Sequence, residues 1–307
     1  MRAFTTVCIL LLTLTAPLLA WNVFGRTSHH VQQGPQIQQG TQVQQGTQVQ
    51  QGTQVQQPGQ QPGSEFCEGI RNHAFMAGEY LQYRVNYGVV GIKLTSGGTA
   101  SFTTTLEKFQ GKDVYHLVGE GTTSTFYDKF FKVRDKYESY IDTTTLQPYK
   151  FLRDVNEGGY KTYENVSFIK AAHTAITNTG VYQVPDCIQD VLSAIFYARN
   201  IDFSKHKVDD KIPFNMFLDR QVYPIYIRYL GKETIRTSYG KFRTIKFRPL
   251  LVKGTMFEGG EKMTVWVSDD PNHIAVRIES PITVGKVSVD MIKYRNLRYP
   301  LSSLIDL

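Results

Sequence analysis

Two short stretches of this chain crowd carboxylates against arginines. DKFFKVRDKYESYID brings Asp128, Arg134, Asp135 and Glu138 close in sequence, and RDVNEGGY adds Arg153, Asp154 and Glu157. Such groups could act as general acid and base on a glycosidic bond, which needs two carboxylates facing each other across roughly 5 to 10 Å. One reading is therefore a hydrolase or transferase acting on glycans, with its carboxylates among Asp128, Asp135, Asp154 and Glu157. The other is that charged residues alternating on the wet face of strands produce the same pattern, and the period-two spacing favours it.

Other reactive residue types give less. Ser193 in DVLSAIF lacks the glycines of a nucleophile elbow, so no hydrolase serine is expected. His73, His116, His173, His206 and His273 are scattered, with none spaced from another as ligands on one element would be. No metal and no cofactor is expected. Cys67 and Cys187 leave two alternatives: a disulfide closing a loop of roughly 120 residues, worth about 4 to 5 kcal/mol in the chain-entropy model, or two buried thiols.

PDCIQDVLSAIFYARN, residues Pro185 to Asn200, reads as a helix, with Asp186 as N-cap, Gln189 completing a capping-box pattern and Asn200 as a left-handed stop. Ile188, Val191, Leu192, Ile195, Phe196 and Arg199 fall at helical spacing, and Ala194, Tyr197 and Ala198 make most of the remaining surface apolar. A helix apolar on most sides is buried on most sides. Charged groups on such a helix must find partners or reach solvent. Asp190 and Arg199 therefore either anchor the helix or, in the case of Arg199, grip an anionic head group in a pocket beside it. Phe196, Tyr197 and Trp266 join them as candidate ligand contacts. Tyr80, Tyr83, Tyr87, Tyr127, Phe130, Phe131, Tyr137, Tyr140, Tyr223, Tyr226 and Tyr229 supply aromatic area that serves first as core.

The elements that must position these residues are mostly strands. EYLQYRVNYGVVGIKL alternates Tyr80, Gln82, Arg84 and Asn86 against Leu81, Tyr83, Val85 and Tyr87. GGTASFTTTLEKF and DVYHLVGEGTTSTFYDKFFKV are dense in Thr, Val and aromatics. YKFLRDVNEGGYKTYENVSFIK reads as a hairpin turning at Gly158 and Gly159, which suit positive φ. Similar segments continue to the end, roughly a dozen strands in all. The expected fold is mainly β: a large curved antiparallel sheet, a barrel or half-barrel, wrapped around one buried helix.

At the amino terminus, Arg2 followed by VCILLLTLTAPLLA reads as an export signal over residues 1–20. The run is shorter than the about 20 apolar residues that cross a bilayer, so no transmembrane span is expected after its removal. Cys8 lies inside the apolar run rather than after it, which speaks against lipidation. Residues 21–63 carry QQGPQI and then QQGTQV three times; 16 of the 33 residues from Val31 to Gly63 are Gln and none is charged. Four hexads are too few for a β-solenoid, so a disordered linker is expected. A single β-rich domain is expected over 64–307. Beyond the signal, 33 Lys and Arg stand against 27 Asp and Glu, spread along the chain without a basic stripe, so no nucleic-acid partner is expected.

Several segments in order, FMAGEYLQYRVNYGVVGIKLTSGGTA, FFKVRDKYESYIDTTTLQPYKFLRDVNEGGY, DVLSAIFYARN and GKETIRTSYGKFRTIKFRPLLVKGTMFEGGEKMTVWVSDD, are similar to bacterial exported proteins of domain of unknown function 3108, in its Bacteroides-like form. The resemblance spans the chain from about Cys67 onward. It implies an exported envelope protein of β-rich fold and brings no catalytic residues. The expected localisation is the periplasm, the extracellular space or the cell envelope. The expected function is non-enzymatic, with a lipid or other apolar ligand, or an envelope protein, as partner. The alternatives are the glycan hydrolase or transferase and a purely structural scaffold.

Overall fold

Residues alternate in character along most of the chain, and in this computed structural model the alternation becomes strands. The structure describes Cys67 and residues 70–89, 92–252, 259–281 and 285–307. The export signal expected over 1–20 and the Gln-rich linker expected over 21–63 lie outside the described residues.

The elements run β1 (Tyr80–Val89), β2 (Ile92–Phe109), β3 (Lys112–Thr123), β4 (Arg134–Asp142), β5 (Pro148–Glu157), β6 (Tyr160–Ile169), β7 (Thr174–Thr177), β8 (Gly180–Gln183), α1 (Val191–Ala198), β9 (Lys211–Leu218), β10 (Gln221–Arg236), β11 (Lys241–Pro249), β12 (Thr264–Ser268), β13 (Ala275–Pro281), β14 (Lys286–Arg295) and β15 (Leu304–Asp306). The segment read from sequence as one strand, EYLQYRVNYGVVGIKL, is two antiparallel neighbours, β1 and β2. All the strands belong to one antiparallel sheet, ordered β8-β7-β6-β5-β4-β3-β2-β1-β14-β13-β12-β11-β10-β9, with β15 added beside β11.

The sheet is open, since no ladder joins β8 to β9. It is nevertheless curled far enough for side chains of its first and last strands to touch. Phe217 of β9 packs against Tyr182 of β8 and Phe168 of β6, with ring centroids 5.8 and 6.0 Å apart. The outer edge of β9 is covered by the backbone of Gln189, whose N–H donates to Asn215 O at 2.9 Å and whose carbonyl accepts from Phe217 N at 2.8 Å. This short parallel bridge occupies groups that an exposed edge would offer to another chain.

Period-two patterning decides which side chains point into the curl. Leu81, Tyr83, Val85 and Tyr87 of β1 are buried, as the alternation predicts. On β4 and β5 the buried sets are Asp135, Tyr137, Ser139 and Ile141, and Phe151, Arg153, Val155 and Glu157. Between β5 and β6, Gly158 and Gly159 turn with φ of +55° and +94°, the left-handed conformations that glycine adopts without steric cost. A Cβ on Gly158 would also fall 2.2 Å from the Phe131 ring.

The helix is shorter than the sequence suggests. It is capped by Asp190, not Asp186: Asp190 Oδ1 accepts from Ser193 N and Ser193 Oγ accepts from Asp190 N, both at 2.8 Å, a reciprocal capping box. Residues before it cannot be helical, because Cys187 sits at φ +58° and Gln189 is committed to the β9 edge. Asn200 is not a left-handed stop either. Its Nδ2 donates to Phe196 O at 3.0 Å, while its Oδ1 accepts from the backbone N–H groups of His73 and Ala74, tying the first described segment to the helix end. Leu192, Phe196 and Tyr197 are almost fully buried, and each such side chain contributes roughly 1.5 to 3 kcal/mol. α1 packs on β3 and β4 on one side and β9 on another, so it lies within the concavity.

Candidate functional site

On the flank of α1 that faces away from β3 and β4, packing is incomplete. A cavity of about 200 Å³ remains between Val191, Ala194, Ile195, Phe196, Ala198 and Arg199 of the helix region and the inner faces of β1, β2 and β9 to β13. Leu81, Phe102, Phe214, Met216, Ile225, Ile227, Phe247, Val265, Val267 and Ile278 form most of the wall, continued by Leu250, Leu251, Val252 and Met263. An apolar cavity of about 150 Å³ in a protein core stays dry and accepts a benzene-sized guest. Water here would find almost no hydrogen-bond partners, so the space favours hydrocarbon.

The polar groups at the helix end are already engaged. Arg199 Nη1 and Nη2 donate to the two oxygens of Glu79 at 2.5 and 2.9 Å, Nε donates to Asn272 O at 3.0 Å, and Nη2 also donates to Ala74 O at 3.3 Å. Arg199 and Glu79 are 6 % and 1 % exposed. The geometry is that of an anchor, with the positive charge neutralised inside the protein. His273 is also on the cavity wall; burial pushes its pKa down, and its Nδ1–H donates to Arg199 O at 2.8 Å.

Of the five residues singled out from sequence as ligand contacts, the structure brings Phe196 and Arg199 to the cavity. Asp190 is used in the capping box, and its second oxygen accepts from Ser139 Oγ at 2.6 Å. Tyr197 is buried but lies off the cavity wall. Trp266 is on the outer side of β12, its Nε1 donating to Glu233 at 2.5 Å and Lys246 lying over its ring, while its neighbours Val265 and Val267 face the cavity. Period two placed it one residue out of register with the site. Cys67 and Cys187 are joined by a disulfide with their Cα atoms 5.2 Å apart. Ser193 serves the capping box. Among the described residues no group of three or more His, Cys, Asp or Glu could hold a metal ion.

Two of the four carboxylates of the hydrolase reading stand apart: Asp128 is bound by Arg134 at 2.6 Å, and Asp154 is exposed. Asp135 and Glu157 are both buried inside the curl on β4 and β5 and lie near enough for the charge of one to act on the other. Burial, first, and then the charge of Asp135 push Glu157 above the usual carboxylate range; burial likewise raises Asp135, against a hydrogen bond from Asn156 N. A glycosidase presents its two carboxylates to a sugar in an open cleft, whereas these two are 4 % and 8 % exposed.

That pair fixes a pH dependence. An acid whose pKa is higher folded than unfolded binds its proton more tightly in the folded state. Its contribution is full below the unfolded value near 4 and is lost as pH rises through the folded value. Asp190, raised by burial to about 6, has the same sign. Melting temperature is therefore expected to fall by several degrees between pH 5 and pH 9, and Glu157→Gln, which removes that titration, to flatten most of the fall. A flat wild-type profile over that range would contradict the raised carboxylates.

The model of the family described as "Protein of unknown function (DUF3108)" matches residues 82–292. Among the curated proteins none matches. The solved structure of a β-barrel-like protein of domain of unknown function DUF1849 from Brucella abortus is similar with a TM-score of 0.50 at 8 % identity, covering 73 % of this chain and 99 % of that one. A candidate lipoprotein from Parabacteroides distasonis aligns at TM-score 0.34 and 14 % identity, over 75 % of this chain and 99 % of that one. A candidate exported protein with a YmcC-like fold from Bacteroides fragilis aligns at TM-score 0.26 and 10 % identity, over the same two shares.

Proposed function

The chain belongs to the DUF3108 family of proteins of unknown function, and from that premise we propose that it is an exported, non-enzymatic envelope protein that holds an apolar ligand in the cavity beside α1. One observation carries the reading: a cavity of about 200 Å³ walled by hydrocarbon beside α1. Protein interiors are normally filled to crystal-like density, so unfilled apolar space of this size costs stability unless something occupies it. The space takes a ring or a short stretch of acyl chain, each buried methylene being worth about 0.8 kcal/mol. No described helix is long and apolar enough to cross a membrane. A disulfide between Cys67 and Cys187 suits an oxidising compartment, which supports export to the periplasm or beyond. In this reading residues 1–20 are a signal, 21–63 a Gln-rich tether, and 64–307 one ligand-holding domain.

Titration of the purified domain with a dansylated fatty acid tests it. The wild type is expected to bind with a blue-shifted emission. Ala194→Phe, which fills the cavity from the helix, is expected to weaken binding at least tenfold, while Phe130→Ser on the exposed surface leaves it unchanged. Equal binding by Ala194→Phe would place the probe elsewhere and defeat the proposal.

A further inference from the structure

A second hollow, of opposite chemistry, lies where the β9–β10 turn meets β5, β6 and the β7–β8 turn. It measures about 220 Å³, and its most buried lining residue is Arg153, 3 % exposed. Arg153 Nη2 makes both of the ion pairs that neutralise it, to Asp219 at 2.6 Å and to Glu164 at 3.2 Å. Among the described residues its Nε and Nη1 have no hydrogen-bond partner, and neither does Asp219 Oδ2. Buried donors and acceptors are nearly always paired, because an orphan costs about 1 to 3 kcal/mol. Donors and an acceptor orphaned together at one hollow are the signature of an occupant that both accepts and donates.

Two more features narrow its class. Tyr160 and Tyr163, 45 % and 57 % exposed, line the same hollow and present phenol rings to solvent. Charge is balanced, with Arg153 and Arg220 against Glu164 and Asp219, so neither an anion nor a cation is favoured. A neutral ring with several hydroxyls fits: its hydroxyls donate to Asp219 and accept from Arg153, and its C–H face lies on a tyrosine. The volume lies below the roughly 300 Å³ at which drug-sized sites begin, which limits the occupant to a single ring.

We propose that the hollow formed by Arg153, Glu164, Asp219, Tyr160 and Tyr163 is a binding site for one pyranose unit of a neutral carbohydrate. It is separate from the apolar cavity and independent of it. Saturation-transfer NMR with the methyl glycosides of glucose, galactose, mannose and N-acetylglucosamine tests the assignment on the purified protein. At least one glycoside is expected to receive saturation on its ring protons, with the signal falling at least fivefold in Tyr163→Ala and in Asp219→Asn, and persisting in Ala194→Phe. Tyr163 is exposed enough for its variant to fold, which keeps the test decisive if the Asp219 variant does not. No transfer to any of the four glycosides, transfer unchanged by Tyr163→Ala, or displacement of the glycoside by inorganic phosphate would each overturn it.

Discussion

Replacing Glu79 by Leu is expected to destabilise the protein by about 3 to 5 kcal/mol, the loss that follows when one partner of a buried ion pair is removed and the other charge stays buried. Arg199 would then keep only the carbonyls of Asn272 and Ala74 as acceptors. At roughly 2 to 4 °C per kcal/mol for a domain of this size, thermal melting should drop by about 10 °C or more. Arg199→Met alone is expected to cost a similar amount, because it strands the Glu79 carboxylate. The double variant Glu79→Leu with Arg199→Met should recover part of the loss, since neither charge is then stranded. If Arg199 served to grip an anionic ligand head group and not to anchor the helix, Glu79→Leu would change ligand retention while leaving the melting temperature nearly untouched.

Reduction of the Cys67–Cys187 bridge is the second large effect. The closed loop has a sequence separation of 120 residues, for which the chain-entropy model gives about 4 to 5 kcal/mol. Removal should not abolish the fold, because the same amino-terminal segment is held a second time. His73 N and Ala74 N donate to Asn200 Oδ1, and Arg199 reaches Ala74 O. Cys67→Ser with Cys187→Ser is therefore expected to lower the denaturation midpoint strongly while preserving the β-sheet circular dichroism. It should also loosen the Gln189 bridge on β9, visible as faster hydrogen exchange at Gln189 and Phe217, whose N–H groups make that bridge. Identical stability with and without reductant would contradict the assignment.

Much of this architecture is legible in the sequence, because period-two alternation sets which face of a strand is buried. Leu81, Tyr83, Val85 and Tyr87 point inward as spaced, and Gly158-Gly159 announces its own turn. The buried helix is legible from its apolar circumference. Its start is not, since Asp186 and Asp190 are both plausible caps by residue type, and the choice is made by Cys187 and by the β9 edge, contacts distant in sequence. The turn between β9 and β10 is hidden for a different reason. Asp219 and Arg220 both adopt positive φ without a glycine, so composition gives no signal, yet that turn brings Asp219 to Arg153.

The sites divide along the same line. Sequence names Phe196 and Arg199 because they lie on the one helix, but the remaining cavity wall comes from β9 to β13, and which of their residues face it depends on register and curl. Trp266, an aromatic that could line a cavity, falls on the opposite face from Val265 and Val267. Asp135 and Glu157 stand out by type, whereas their nearness depends on the β4–β5 pairing, which sets Lys136 opposite Asp154 and Val133 opposite Glu157. Arg153 and Glu164 are directly paired across β5 and β6, a neighbour relation that becomes readable once the Gly158-Gly159 turn is accepted.

The most direct test of the account is native mass spectrometry of the protein purified from its native source without detergent, alongside Ala194→Phe prepared identically, with the solvent extract of each analysed for lipids. The account predicts a reproducible apolar adduct on the wild type that is absent from the variant. A wild-type protein that emerges empty in repeated preparations, and also fails to take up the dansylated fatty acid, would contradict it.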